Sequence, residues 1–183
     1  FENVMDFLEV LSSPQAHNLS LRHVSLSTCG LVPEIRRLME RKLGLTLSIS
    51  LHAADNETRD QIMPVNRRYP IEELMAVCRE YFAVTGRRIS YEYALIAGVN
   101  DDMDHADELA ALLRGQNCHV NLIPVNPVKE RDTKRSSRQQ IQRFVERLEQ
   151  RGLNATVRRE LGSDISAACG QLRREHVSQS QQE

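Results

Sequence analysis

Cys169 stands between Ala168 and Gly170 in the stretch GSDISAACGQL, residues 162–172. The small neighbours leave space around the sulfur, and the flanking glycines suit a surface loop. An accessible thiolate is a nucleophile and can carry a group, whereas a thiol buried among apolar side chains is inert. The context favours the first use. Cys29, Cys78 and Cys118 are scattered, with no CxxC pair and no metal-type spacing, and they read as packing thiols. A disulfide framework does not suit this size and cysteine density, so a reducing, cytoplasmic setting is expected.

A second set of candidates is periodic. Ser48, Ser50 and His52 alternate with Leu47, Ile49 and Leu51. Ser25 and Ser27 share one face of an earlier segment, Ser90 and Glu92 one face of a later segment, and His119 and Asn121 follow in the next. His52 and Asn126 fall at segment ends. Parallel strands covered on both faces read as continuous apolar runs, and a small closed barrel is filled by Val, Ile and Leu. A polar row on four successive strands therefore implies one wet face, with room for a polar ligand near the C-terminal strand ends. A solvent-exposed sheet face would produce the same row, and the pattern names no ligand.

The elements that must position these residues alternate between two periods. Val4, Phe7, Leu8 and Leu11 have helical spacing, and residues 21–28 alternate like a strand. Pro33 suits the first turn of a helix running to about Leu43. Residues 45–53 alternate again. Asp55 is a good N-cap for a short helix that Pro64 stops, and Pro70 opens the next helix. Strands are expected at 89–96, 119–127 and 154–160, with helices at 105–114 and around 141–148, the last closed by Gly152. From about Arg173 the tail is polar and expected to be disordered. Strands alternating with helices mean βα repeats and a mainly parallel α/β sheet, open or curved.

The gross numbers agree with one domain. The chain has 183 residues, enough for a proper core, and its 40% hydrophobic and 27% charged content is that of a globular protein. A net charge of −1 excludes a bulk polycation, so nucleic-acid binding would need a local basic patch. No apolar run reaches the roughly 18 residues of a membrane helix. The opening FENVMDFLEV is acidic and amphipathic, unlike a signal peptide, and a start at Phe1 suggests a fragment.

Five stretches occur in a telling order: LSTCGLVP (26–33), SISLHAADNETRDQIMPVNRRYPIEEL (48–74), YEYALIAGVND (91–101), CHVNLIPVNP (118–127) and GSDISAACGQL (162–172). Together they resemble the radical S-adenosylmethionine adenine C2-methyltransferases of the RlmN/Cfr type, from Phe1 to about Leu172. The resemblance implies an incomplete (β/α)6, TIM-like radical-SAM barrel, of which residues 1–172 would be the C-terminal part. It implies that Ser27, Ser50, Leu51, His52 and Asn126 contact S-adenosylmethionine, and that Cys169 is the cysteine S-methylated during turnover. In such enzymes one cofactor molecule methylates the thiolate by displacement. A second is cleaved reductively to a 5′-deoxyadenosyl radical, which takes hydrogen from the S-methyl group. The resulting methylene radical adds to adenine C2. The implied substrates are an adenosine of 23S rRNA and a tRNA adenosine, with an electron donor such as flavodoxin, no membrane association and a monomeric state.

The chain departs from that pattern in two ways. Neither CxxxCxxC, which holds the family's [4Fe–4S] cluster, nor Gly-Glu-Pro occurs in it, so cluster ligands are expected N-terminal to Phe1 and no metal ligand is assigned here. The family's second catalytic cysteine is likewise expected outside this chain. The loop PVKERDTKRSSR, 127–138, carries Lys129, Arg131, Lys134, Arg135 and Arg138, either a phosphate-contacting patch or a solvated loop balanced by Glu130 and Asp132. Three other readings stay open: an inactive cofactor- or RNA-binding module, a C8-methylating relative, and an unrelated barrel hydrolase using Cys169 with His52 or His176. Reconstitution of this polypeptide with iron and sulfide is expected to give no cluster absorbance; a stable cluster would contradict the assignment of its ligands elsewhere.

Overall fold

The computed structural model describes residues 1–125 and 134–158. The 162–172 stretch with Cys169, Asn126, most of the basic loop and the tail from 173 lie outside the described residues.

Five strands form one parallel sheet: β1 (Ser25–Thr28), β2 (Thr46–Ser50), β3 (Ile89–Leu95), β4 (Cys118–Pro124) and β5 (Ala155–Val157). Their spatial order is their sequence order. Right-handed crossovers that always step in the same direction keep their helices on one face. The sheet thus winds as a barrel wall does, without the reversal of an open doubly wound sheet.

The crossovers follow from local chemistry. Pro33 sits in the first turn of α2 (Val32–Glu40), where its lost N–H has no intrahelical use. The Asp55 carboxylate accepts from the Thr58 N–H at 2.7 Å and starts α3 (Asn56–Ile62). Pro70 precedes α4 (Ile71–Thr85), and Gly86, in the left-handed region, ends it. Asp102 caps α5 (Met103–Leu112), and Ser137 caps α6 (Arg138–Gln150). Gly152 follows α6 with a φ of 83°, as expected of its closing residue.

The core lies between helices and sheet. In β3 the side chains of Ile89, Tyr91, Tyr93 and Leu95 are buried, and Ser90, Glu92 and Ala94 are half-buried on the other face. Leu47, Ile49, Val120 and Leu122 continue the apolar face. Leu74, Met75, Cys78 and Tyr81 of α4 cover it, and Phe144 of α6 meets the Tyr93 ring at 5.5 Å. The Asp107 carboxylate on α5 receives Arg147 of α6 and Arg151 just past its end, which fastens the two helices side by side.

Several boundaries differ from the expected ones. Residues 21–23 form a 3-10 turn because no neighbouring strand reaches them; the ladder to β2 starts at Ser25↔Thr46. The second helix stops at Glu40, short of Leu43, as Lys42 turns to a φ of 48°. β2 ends at Ser50, and the later strands stop at Leu95, Pro124 and Val157. α1 (Glu2–Ser12) buries Leu8 and half-buries Leu11, but Val4 and Phe7 of the same apolar set face outward. Replacing Phe144 by Ala is expected to cost about 3–5 kcal/mol, because the ring fills a dry site against Tyr93. Urea unfolding measures it, and a loss below about 1 kcal/mol would contradict this packing.

Candidate functional site

The polar row occupies one sheet face, unevenly. Ser25 and Ser27 are exposed, and Ser50, Ser90, Glu92, His119 and Asn121 are half-buried. Ser48 departs from the expected wet position: it is only 4% exposed, and its hydroxyl pairs with that of Ser25 at 2.7 Å. That bond closes the face between β1 and β2. Ser27 and Ser50 lie nearer the C-terminal ends, where the face is more open.

His52 is not a continuation of β2. Its φ is 62°, a left-handed conformation rare outside Gly and Asn. Its backbone is held from three directions. The N–H groups of Leu51 and His52 both donate to the Glu92 carbonyl, at 3.0 and 3.1 Å. The His52 carbonyl accepts from Asn100 Nδ2 at 2.8 Å. The same Nδ2 donates to the Ala94 carbonyl at 2.7 Å, and Asn100 Oδ1 accepts from the Ile96 N–H. Asn100 thus laces the loop after β2 to the end of β3.

The imidazole is fixed as well. The Ala94 N–H donates to His52 Nδ1 at 3.1 Å. A backbone amide only donates, so Nδ1 is unprotonated and the ring proton sits on Nε2. Burial, helped by the Arg59 charge, pushes the His52 pKa down from the ordinary 6.5 to about 4. At neutral pH this residue offers a neutral Nε2–H donor.

Arg59 lies beneath the same strand ends and is fully buried. Nε donates to the Leu51 carbonyl at 3.0 Å, Nη2 to the Cys29 carbonyl at 2.9 Å, and Nη1 to Asn66 Oδ1 at 2.9 Å. Burial lowers its pKa from the ordinary arginine value. Neither Arg59 nor Asn100 stood out in the sequence. Arg59 falls in a short polar helix, and Asn100 in a loop; their types and spacing carry no periodic signal.

The thiols behave as packing groups. Burial pushes Cys78 up to about 12 and Cys118 to about 11, and all three described cysteines are free. Among the described residues one trio of ligating groups gathers, Asp55, His105 and Glu108, with atoms within 4.8 Å of one another. It contains no cysteine. Asp55 already caps α3, and His105 Nδ1 is bound to Asp102 at 2.7 Å. The described residues therefore do not fit an iron–sulfur cluster, which takes thiolates. Their neutral donors at the strand ends fit the polar groups of S-adenosylmethionine.

Of the expected site, Ser27, Ser50, Leu51 and His52 come together at the ends of two adjacent strands; Leu51 is buried and contributes backbone. Lys134, Arg135 and Arg138 are exposed. Arg135 forms an antiparallel bridge with Ile96, and the Ala97 N–H donates to the Lys134 carbonyl, which pins this stretch beside the end of β3.

The fold has close solved counterparts. A radical SAM methyltransferase from Sphaerobacter thermophilus superposes with a TM-score of 0.90 at 48% identity, over 93% of this chain and 50% of that one. A domain of pyruvate-formate lyase-activating enzyme from Bacteroides vulgatus superposes at a TM-score of 0.66 with 20% identity, over 86% and 91%, and shows the fold alone. The architecture is that of a radical SAM enzyme, an incomplete parallel α/β barrel. Proteins of Desulforamulus reducens and Pelotomaculum thermopropionicum, each described as "Probable dual-specificity RNA methyltransferase RlmN", are 52% and 55% identical over 97% and 95% of the chain. The chain belongs to this RlmN-type family and spans about half the length of the relatives it matches, 51% and 48% of these two. No protein-family model matches it.

The His52 shift gives a pH test. Well above pH 6.5 the ring is neutral in folded and unfolded chains alike. As pH falls from 6.5 toward 4, the unfolded chain gains a proton that the folded chain refuses, so stability is lost across that window and levels off below it. The loss is at most roughly 3 kcal/mol. His52→Asn, which tolerates the left-handed backbone, is expected to flatten urea-derived stability between pH 6.5 and 4. Parallel native and variant curves there would contradict the buried neutral ring.

Proposed function

We propose that the chain is the C-terminal part of a cytoplasmic radical SAM RNA methyltransferase that modifies C2 of an adenosine in 23S rRNA and in tRNA. The observation that carries this reading is the identity above 50% to RlmN-type methyltransferases along nearly the whole chain. The gathering of Ser27, Ser50 and His52 at the C-terminal strand ends supports it.

In this reading the Ser27 and Ser50 hydroxyls, the Leu51 backbone, the His52 Nε2–H and Asn126 hold S-adenosylmethionine. That cofactor, together with a [4Fe–4S] cluster held by thiolates outside the described residues, would supply the methyl group and the radical chemistry. Cys169 carries the one-carbon unit. Its thiolate forms the new S–C bond as the sulfonium loses its methyl group, so the sulfur ends as a neutral thioether. Adenine C2 is an electron-poor carbon that does not attack a sulfonium, which is why a protein sulfur is needed. Lys134, Arg135 and Arg138 would meet RNA phosphates, making binding salt-dependent. A donor such as flavodoxin would supply the electrons.

The test uses the full-length polypeptide with a domain V rRNA transcript and a tRNA. Cys169→Ala is expected to abolish methylation of both. The native protein, exposed to S-adenosylmethionine, is expected to gain one methyl group on Cys169 by peptide mass analysis. Full activity of the variant, or an unmodified thiol, would overturn the reading.

A further inference from the structure

The β1–β2 ladder runs to Thr28↔Ile49 and stops. One position further, the carbonyls of Cys29 and Ser50 have no ladder donor from the opposing strand. Arg59 takes the place of the lost ladder. Its Nη2 donates to Cys29 O at 2.9 Å and, more distantly, to Ser50 O at 3.4 Å, while Nε holds Leu51 O. One planar fork therefore spans the gap between two strand ends that no longer pair.

The surroundings keep that fork in place. Asn66, itself buried, accepts from Nη1 and donates to Asp60 Oδ1 at 2.7 Å and to Asn56 Oδ1 at 3.0 Å. Gly30 has a φ of 103°, and a Cβ there would stand 3.3 Å from Arg59 Nη2 and 3.1 Å from Leu74. The loop after β1 closes directly onto the guanidinium because residue 30 has no side chain. Burying such a cation is costly unless its donors are met. Its bonds go to main-chain carbonyls of the two segments and to a neutral amide. What the cation adds over an apolar residue is geometry at those carbonyls.

We infer that Arg59 is a positioning residue: it sets the spacing between segments 27–29 and 50–52, and so the site that those segments form for S-adenosylmethionine. The inference rests on the reading that these segments hold that cofactor. Arg59 touches no substrate; it acts through Ser27, Ser50 and His52. Lys has the charge without the fork, so it can reach one carbonyl and cannot span three.

The test measures S-adenosylmethionine binding by equilibrium dialysis in the full-length polypeptide. Arg59→Lys is expected to weaken binding by roughly 10- to 100-fold, as loss of an orienting partner does, and to leave transcript affinity within about twofold. Arg59→Ala is expected to regain most of its lost affinity when guanidinium ion is added at low millimolar concentration. A merely structural role would reduce the number of binding sites and leave the dissociation constant of the folded fraction unchanged. Native affinity in Arg59→Lys, or no guanidinium rescue of folded Arg59→Ala, overturns the inference. If the native protein binds no S-adenosylmethionine, the functional reading fails, and amide hydrogen exchange then decides on Arg59. Faster exchange at Gly30, Leu51 and His52 in Arg59→Lys, with β4 unchanged, upholds it; unchanged exchange at all three overturns it.

Discussion

Where a parallel ladder ends, its last carbonyls need new donors, and the ligand end of this sheet depends on what supplies them. Strands that splay apart to open a site lose their mutual hydrogen bonds while still enclosed by protein, and an unmet buried carbonyl is costly. Here two side chains replace backbone. Arg59 serves the ends of β1 and β2, and Asn100 serves the ends of β2 and β3. Both are fully buried, and both reach their carbonyls from loops and helices that follow the strands. The open end of the sheet is therefore rigid where a run of unpaired strand ends would fray.

That arrangement also sets the electrostatics. Burial, with Arg59 nearby, keeps the imidazole neutral, and the Ala94 N–H on Nδ1 leaves its proton on Nε2. The serine hydroxyls beside it are neutral too. Glu92 of the same face adds a carboxylate beside these neutral groups. The sulfurs follow the same rule. Burial holds Cys78 and Cys118 as thiols at neutral pH, so neither competes as a nucleophile. Burial alone keeps these two sulfurs silent.

The features readable in the sequence are those with a local cause. Asp55 as a cap, Pro70 as a helix start and the alternation through β2 and β3 each declare themselves within a few residues. The barrel-like winding was legible only as an open choice, because strand order is a property of the assembled sheet. Ser48 looked like a lining residue because period-two alternation reports which way a side chain points, not what stands in front of it; the Ser25 hydroxyl does. His52 was expected at the end of a strand over 45–53 and instead lies two residues past β2, in a left-handed turn held by Asn100, 48 residues away. Arg59 was invisible for the same reason: its partners at Cys29 and Leu51 are brought together only by the fold.

The comparison with the Bacteroides vulgatus domain sharpens what the fold can and cannot say. At 20% identity the same winding persists with a TM-score of 0.66. The wall therefore tolerates extensive change of sequence. Chemistry has to be written elsewhere, on residues the wall does not need for its own stability. The buried guanidinium and the asparagine stand between the two tasks: they meet carbonyls that apolar side chains would leave unpaired, and they shape the edge where the site lies. They keep the strand ends apart, yet joined, at the edge where a polar ligand can enter.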